Sequence, residues 1–188
     1  MSMKENNPTG IEIFPYNETW ETAFLSIEDV LKSRLGDLII SVEHVGSTSV
    51  KGLGAKPILD IDIVIEDYSV LPTVIKNLQK LGYYHQENWS FKGREAFGRK
   101  NSLVPWDGKD ITWMEHHLYV CNKDSAELAR HLLFRNYLRD NPEAVVEYEQ
   151  LKTDLAKTAK DRASYTEGKT KFVTEILKKQ GYNSIHFN

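Results

Sequence analysis

The sequence predicts an α/β (α+β) fold, in which a small mixed β-sheet is flanked by helices and followed by a C-terminal helical layer. Two observations support this prediction. Short apolar runs typical of buried strands alternate with amphipathic helical stretches through the first 122 residues. From Asp124 onward, apolar residues recur at helical spacing almost to the end. We therefore expect a sheet core over about 11–122 and a helical layer over about 124–180.

The first third of the chain contains a glycine-rich loop between two predicted strands. Before them, residues 18–35 carry an apolar stripe that includes Trp20 and Phe24, and Gly36 ends this predicted helix. The other elements predicted here are a short strand at 11–15, a strand at 38–44, the loop at 46–56 and a strand at 58–65 that Pro57 opens.

The middle of the chain mixes helix and strand signals. Apolar residues at helical spacing predict a helix over 71–81, which Gly82 ends. Residues 83–104 mix aromatic and polar side chains and predict one or two strands. Asp107-Gly108 marks a turn at 105–109, and the apolar run that follows predicts a strand over 111–121.

Three helices are predicted in the last third. Asp124 can cap a helix that runs to about Leu138, and Pro142 suits the first position of the next helix. Ser164 or Thr166 starts the last. Because no Pro- or Gly-rich linker separates these helices from the sheet, we predict a single domain over 11–188, preceded by a disordered start at 1–10.

Two aspartates in the strand at 58–65 are the strongest functional signal. Asp60 and Asp62 are two residues apart, so in a strand both side chains project from one face. Burying two like charges together is unfavourable unless a cation or a hydrogen-bond network compensates them. Mg²⁺ is a suitable cation, because it typically takes one or two carboxylates together with substrate phosphates. The pattern therefore predicts a divalent-metal site.

The Gly-Ser, spacer, Asp-x-Asp arrangement resembles the active-site pattern of the nucleotidyltransferase superfamily. More closely, the chain resembles the GrpB family, a family with the nucleotidyltransferase fold. The resemblance rests on the runs HVGSTSV, GLGAKPILDIDIVI, FGRK, HHLYV, HLLFRNYLRDNP, YEQLKTDLA and YTEGKTKFV, and it covers roughly residues 10–180.

The resemblance implies a nucleotidyltransferase-like fold and transfer of a nucleotidyl group from a nucleoside triphosphate. In that interpretation Asp60 and Asp62 bind Mg²⁺ or Mn²⁺, which neutralises charge during in-line transfer. Gly46, Ser47 and Thr48, with nearby backbone N–H groups, would hold a phosphate. The three glycines of the loop permit a close approach of the backbone to such a ligand.

The third acid of the site is where this chain departs from the superfamily pattern. Active nucleotidyltransferases usually add a carboxylate from a neighbouring strand, and the candidate strand here carries Glu115, His117 and Tyr119 on one face. The family typically has a histidine where Tyr119 stands. His117 is a candidate base or third metal ligand, and Glu115 is a candidate substitute acid. A purely structural histidine is the alternative.

Further candidates for phosphate binding are mostly cationic, with solvent-exposed lysines and arginines as the ordinary alternative. They are Lys56, Arg99, Lys100, Arg135, Tyr165 and Lys169. Gly168-Lys169-Thr170 is not a P-loop, because Ala163 stands where that motif needs glycine and no strand precedes it.

Composition narrows the classes of function. The formal net charge of the 188 residues is −3, which disfavours a general nucleic-acid binder. The apolar runs are far shorter than the roughly 20 residues that a membrane helix needs, so we expect no membrane association. Cys121 is the single cysteine, and with no signal-peptide pattern at the N-terminus this predicts a cytoplasmic protein.

Two hypotheses of function follow. The first is a metal-dependent nucleotidyltransferase that acts with a nucleoside triphosphate on a small-molecule or protein acceptor. The second is a catalytically incomplete module that binds a nucleotide or coenzyme A, since some relatives are fused to dephospho-CoA kinase. The nature of the group at the third-acid position distinguishes the two, while these patterns fix neither the acceptor nor the oligomeric state.

Overall fold

The computed structural model describes residues 10–182, and their fold is mixed α/β as predicted. Five strands form one sheet in the order β1-β2-β5-β4-β3. Strands β2 and β5 are parallel and the other three pairs are antiparallel. The strands are β1 Ser41–Val45, β2 Leu59–Ile65, β3 Tyr83–His85, β4 Glu95–Arg99 and β5 His116–Asn122.

Five α-helices cover the two faces of this sheet. They are α1 Thr19–Leu35, α2 Leu71–Lys80, α3 Ala126–Asp140, α4 Pro142–Thr158 and α5 Arg162–Lys179. Helices α1 and α2 pack on one face, where Ile61 and Ile63 of β2 meet Phe24 and Leu78 in the main apolar core. Helix α3 contacts β1 and β5 on the opposite face and carries α4 and α5. No helix within 10–182 has the length and apolar character to cross a bilayer.

Two predicted strands begin later than the apolar runs suggest. The first starts at Ser41 rather than Leu38, because Gly36–Leu38 forms a short 3-10 helix after α1. The strand predicted over 111–121 starts at His116. Before it, Trp113 bonds to the preceding loop instead of the sheet, because its N–H donates to the Ser102 carbonyl at 2.9 Å.

Side-chain caps correct the predicted starts of two helices. Ser125, not Asp124, caps α3, because its hydroxyl accepts hydrogen bonds from the backbone N–H groups of Glu127 and Leu128. The last helix begins at Arg162, capped by Asp161. The strand predicted at 11–15 is a single bridge between Phe14 and Ala55. Most of the predicted disordered start at 1–10 lies outside the described residues.

Candidate active site

A row of polar residues crosses the sheet face that α3 covers. Asp60 and Asp62 are two positions apart on β2 and project from this face. The strand register places Glu43 of β1 and Tyr119 of β5 directly beside Asp62, and His117 of β5 beside Asp60. Four of these five side chains carry a carboxylate or an imidazole, so the row concentrates ionisable groups on this face of the sheet.

Asp60 is partly open to solvent and is held from two sides. Its Oδ1 accepts a hydrogen bond from Nδ1 of His117 at 2.9 Å. Gly46, with φ of 70°, lies against the other carboxylate oxygen, where a Cβ would overlap Oδ2. A side chain at position 46 would therefore be excluded both by backbone conformation and by space. This glycine allows the loop to reach the carboxylate.

Asp62 is fully buried, with 0% of its surface exposed. Its Oδ2 lies 2.7 Å from Nδ1 of His131, whose Nε2 lies 3.3 Å from Oε1 of Glu127. Burial lowers the pKa of His131, but the hydrogen bonds to Asp62 and Glu127 outweigh burial and raise the pKa to about 9. His131 is therefore a cation at neutral pH and compensates the charge of the buried carboxylate.

The glycine-rich loop, residues 46–56, is tied to the sheet and to the helical layer. Thr48 lies 3.0 Å from Nε2 of His44. The guanidinium of Arg139 donates two hydrogen bonds to the Ser49 carbonyl, at 2.8 and 3.1 Å. Farther along, the Gly54 N–H donates to Glu149 at 2.7 Å. The loop is thus fixed beside Asp60 at several points, consistent with a preorganised binding site.

A cavity of about 200 Å³ opens between this loop, β2 and the last two helices, and we call it the lysine cavity. Three ammonium groups and one carboxylate contribute to its lining. Its polar and aromatic residues are Ser47, Thr48, Lys56, Asp60, His117, Lys152, Tyr165 and Lys169. Such an excess of positive charge favours a polyanionic ligand.

Lys152 is the most unusual member of this cavity because only 2% of its surface is exposed. Its ammonium donates to the Gly54 carbonyl and lies 4.9 Å from the centre of the Tyr148 ring. Burial and the nearby Lys169 lower the pKa of Lys152 to about 7. Burial also lowers the pKa of Lys169, with Lys56 adding to the effect. Lys169 thus disfavours the charged form of Lys152, and Lys56 disfavours the charged form of Lys169.

A second cavity, of about 250 Å³, adjoins the first and shares Ser47, Asp60 and Lys169 with it. We call it the aromatic cavity, because Phe134 and Tyr148 contribute to its wall. Its remaining lining consists of Gly46, Arg130, His131, Thr166, Thr170 and Val173. Asp60 therefore borders two cavities of different chemical character.

The structure brings most of the predicted phosphate-binding residues to these cavities. Arg99, Lys100 and Arg135 line neither cavity. Arg99 points to the Val104 and Met114 carbonyls, at 3.5 and 3.4 Å. Arg135 binds Glu43 at 2.9 Å and the His44 carbonyl at 3.0 Å, so it fastens α3 to β1. The contacts of Arg99 and Arg135 are with the protein itself.

Sequence reasoning missed several residues that shape the site. Lys152 reaches Gly54, 98 positions away, and His131 reaches Asp62, 69 positions away, and helical periodicity does not encode contacts of that separation. Glu127 contacts His131 one turn along the same helix. The alternation along β1 could have found Glu43, because it lies between the buried residues Val42 and His44.

The carboxylates of the row fit a divalent cation that is shared with a substrate. Oδ1 of Asp62 is buried and has no hydrogen-bond partner among the described residues. Asp60 and Asp62 together place two carboxylates on one face of the sheet. Within residues 10–182, no three His, Cys, Asp or Glu side chains are grouped as a complete metal site. A cation held here would need phosphate or water oxygens to complete its coordination.

Comparison with known proteins identifies relatives along nearly the whole chain. A family model described as GrpB protein matches residues 10–179. The chain is 32% identical over 173 residues to the glutamate-rich protein GrpB of Alkalihalophilus pseudofirmus, covering 91% of this chain and 96% of that protein. It is also 26% identical over 165 residues to the dephospho-CoA kinase of Mycobacterium tuberculosis, covering 78% of this chain and 40% of that protein.

Comparison with solved structures also identifies a GrpB protein as similar. The conserved protein GrpB from Enterococcus faecalis is similar with a TM-score of 0.73 and 29% identity, covering 92% of this chain and 100% of that one. Cid1 in complex with its product ApU is similar with a TM-score of 0.53 and 11% identity, covering 76% and 42%. At that identity the likeness shows the fold alone, and it confirms the predicted nucleotidyltransferase-like architecture.

Proposed function

This chain belongs to the GrpB family, and from its site we propose that it is a divalent-metal-dependent nucleotidyltransferase. In this proposal it transfers a nucleotidyl group from a nucleoside triphosphate to a small-molecule or protein acceptor. One observation carries the proposal: Asp60 lies where the glycine-rich loop, the second carboxylate and a cavity with three lysines meet. These are the parts that phosphoryl chemistry requires, since catalysis there consists mainly of positioning and charge stabilisation.

The lysine cavity would hold the triphosphate. Lys56, Lys152 and Lys169 supply positive charge, and Ser47 and Thr48 supply hydroxyl groups. An arriving polyanion would relieve the repulsion between the ammonium groups and favour the protonated form of Lys152. Cid1, a poly(U) polymerase of the same fold, has been solved with MgATP bound. That precedent supports a nucleoside triphosphate as the polyanion.

Asp60 and Asp62 would hold Mg²⁺ or Mn²⁺ together with phosphate oxygens. When bound, the metal would neutralise the charge that develops on the transferring phosphoryl group. The protein's own contribution is to orient Asp62 through its hydrogen bond with His131, and to keep Asp60 against the loop through Gly46.

His117 is the proposed base. An ionised carboxylate only accepts hydrogen bonds, so the hydrogen between the two groups lies on Nδ1 of His117, and in the neutral imidazole this makes Nε2 the acceptor. Half of the His117 side chain is exposed, so Nε2 can exchange protons with a substrate or with water. The Asp60–His117 pair would therefore accept the proton of the attacking hydroxyl group. Coordination of the metal by His117 is the alternative role.

A second candidate function is a module that binds a nucleotide or coenzyme A without transfer. The observation that favours it is the ion pair of Asp62 with His131, which supplies a protein cation where an active enzyme would use metal. The similarity to part of a dephospho-CoA kinase is consistent with an adenine nucleotide or coenzyme A as its ligand.

Pyrophosphate release separates the two candidates. Wild type is incubated with ATP, GTP, CTP or UTP, with Mg²⁺ or Mn²⁺, and with a mixture of small hydroxyl compounds as acceptors of the nucleotidyl group, in parallel with His117→Ala. The enzyme proposal predicts release by wild type and a reduction of about 10²- to 10⁴-fold in His117→Ala with nucleotide binding unchanged. Tight nucleotide binding by wild type with no release from any triphosphate, and no effect of His117→Ala, would favour the binding module.

A further inference from the structure

Most of the aromatic cavity lies outside the proposed triphosphate site, with which it shares Ser47, Lys169 and the Asp60 carboxylate. From this placement we infer that the aromatic cavity binds the acceptor, a small ring-bearing alcohol that is neutral or negatively charged. The inference rests on the proposed function, because it assigns the second substrate of the same site. At about 250 Å³ the cavity lies just below the usual range for small-molecule sites, roughly 300–1,000 Å³. That size suits a small compound.

The geometry of transfer assigns the acceptor to this side of Asp60. In phosphoryl transfer the attacking and leaving oxygens lie roughly in line on either side of phosphorus. The lysine cavity suits the leaving pyrophosphate because three ammonium groups line it. The acceptor must then approach Asp60 from elsewhere, and the aromatic cavity is the other described cavity that Asp60 lines.

The transfer balances with these assignments. The hydroxyl oxygen of the acceptor bonds to the α-phosphorus, and the bond from that phosphorus to the oxygen bridging to the β-phosphate breaks. Pyrophosphate leaves on the side of the lysine cavity. The hydroxyl proton passes to the Asp60–His117 pair, whose carboxylate belongs to both cavities.

The walls of the cavity favour a ring and hydroxyl groups. Phe134 and Tyr148 meet edge to face with their ring centres 5.2 Å apart, and Val173 of α5 adds a third apolar side chain. Aromatic walls of this kind pack well against the flat face of a ring. Thr166 and Thr170 supply hydroxyl groups that both donate and accept hydrogen bonds.

The charges exclude a cationic acceptor. Arg130, His131 and Lys169 line the cavity, whereas Asp60 is the one carboxylate that lines it among residues 10–182. Glu127 pairs with Arg130 at 2.6 Å and is 5% exposed, so it lies behind the wall.

A matched series of three probes tests the inference by methyl-resolved NMR on the full chain. The probes are phenyl β-D-glucoside, phenyl β-D-glucuronide and phenyl β-D-glucosaminide, which are neutral, anionic and cationic. We expect the first two to shift the methyl signals of Thr170 and Val173, and the third to bind at least about tenfold more weakly. MgATP should shift the methyl signals of Ile13, Ala55 and Ile58, which line the lysine cavity, and should not displace a bound probe.

Val173→Trp fills the aromatic cavity, and Lys171→Trp adds the same bulk on the exposed side of α5 as its control. Val173→Trp should abolish the probe shifts and keep the MgATP shifts, while the control keeps both. The inference is overturned if no probe shifts Thr170 or Val173, if the cationic probe binds best, or if MgATP displaces the probes. If MgATP shifts no signals but the probes do, the proposed nucleotide site is wrong, and the probe shifts still show whether the aromatic cavity binds a ligand.

Discussion

Asp60 and Asp62 show how two identical side chains on one strand acquire different roles. Asp60 borders two cavities and bonds to a half-exposed histidine, whereas Asp62 is sealed beside the imidazolium of His131. Strand periodicity explains why both point to one face, but only the packing of α3 explains why one is open and the other buried. In the proposed site, Asp60 meets both the metal and the substrate, whereas Asp62 is the buried metal ligand that His131 holds in place.

Lys152 provides a test at the residue scale. Its pKa is lowered to about 7 in the folded protein by burial and by Lys169, against the opposing effect of Glu149. In the unfolded chain a lysine titrates near 10.4, so between about pH 7 and pH 10 the unfolded chain binds more protons. The free energy of unfolding of wild type should therefore rise with pH across this window. Lys152→Met should reduce that rise, as measured by urea unfolding at both ends, and leave the part that comes from the lowered pKa of Lys169.

Lys157→Met, on an exposed position of the same helix, is the matched control and should keep the pH dependence of wild type. If the free energy of unfolding changed equally with pH in wild type and Lys152→Met, Lys152 would stay protonated across the window. The lowered pKa assigned to Lys152 would then be wrong. Lys152→Met should also weaken nucleotide binding, since it removes one of three cations from the lysine cavity.

At the scale of elements, the glycine-rich loop is the part of the site that sequence predicted best. Gly46 and Ser47 follow β1 at the position that the Gly-Ser pattern indicates, and the loop lies beside Asp60. What the pattern did not contain is how the loop is held. Its ties run to Arg139, Glu149 and Lys152, which are 90 to 98 residues away along the chain. Tertiary contacts of that separation leave no local periodicity in a sequence.

Two glycines of this loop allow a matched comparison. Gly46 and Gly52 both have positive φ, but a Cβ at Gly46 would overlap the Asp60 carboxylate and a Cβ at Gly52 would meet nothing within 4 Å. Gly52→Ala should cost only the backbone strain, about 1–2 kcal/mol of unfolding free energy. Gly46→Ala should cost more and should also abolish nucleotide binding by displacing Asp60. Chemical unfolding and nucleotide titration of both variants test this, and equal losses in the two would contradict it.

At the scale of the whole molecule, the sheet separates the main apolar core from the candidate active site. The face toward α1 and α2 carries the main core, and the face toward α3 carries the polar row. The formal net charge of −3 did not predict the three lysines that line the lysine cavity, because net charge is summed over the whole chain. The alternation of strand and helix signals was enough for the fold class. The exact start of β5 was not predictable, since Trp113 binds the loop at Ser102 rather than a strand.

The helical layer should be required for the sheet to fold. Val50 and Leu53 of the loop are buried against Leu138, Tyr148 and other residues of α3–α5. Exposing a buried apolar side chain lowers the free energy of unfolding by about 1.5–3 kcal/mol, whereas the whole free energy of unfolding of a domain is about 5–15 kcal/mol. A chain truncated after Asn122 should show no cooperative urea transition and poor NMR dispersion. A soluble fragment with a cooperative transition would mean that the sheet is an independent domain.

The most direct test of the central claim is isothermal titration of wild type and Asp60→Ala with ATP, GTP, CTP and UTP, each with Mg²⁺, with Mn²⁺ and without a divalent metal. Asp60 is partly exposed, so its removal should leave the fold intact, and Asp110→Ala at an exposed site is the control. The account predicts that wild type and Asp110→Ala bind at least one triphosphate only when the metal is present, and that Asp60→Ala binds none. If wild type binds no triphosphate with either metal, or Asp60→Ala binds as tightly as wild type, the proposed nucleotidyltransferase site is contradicted.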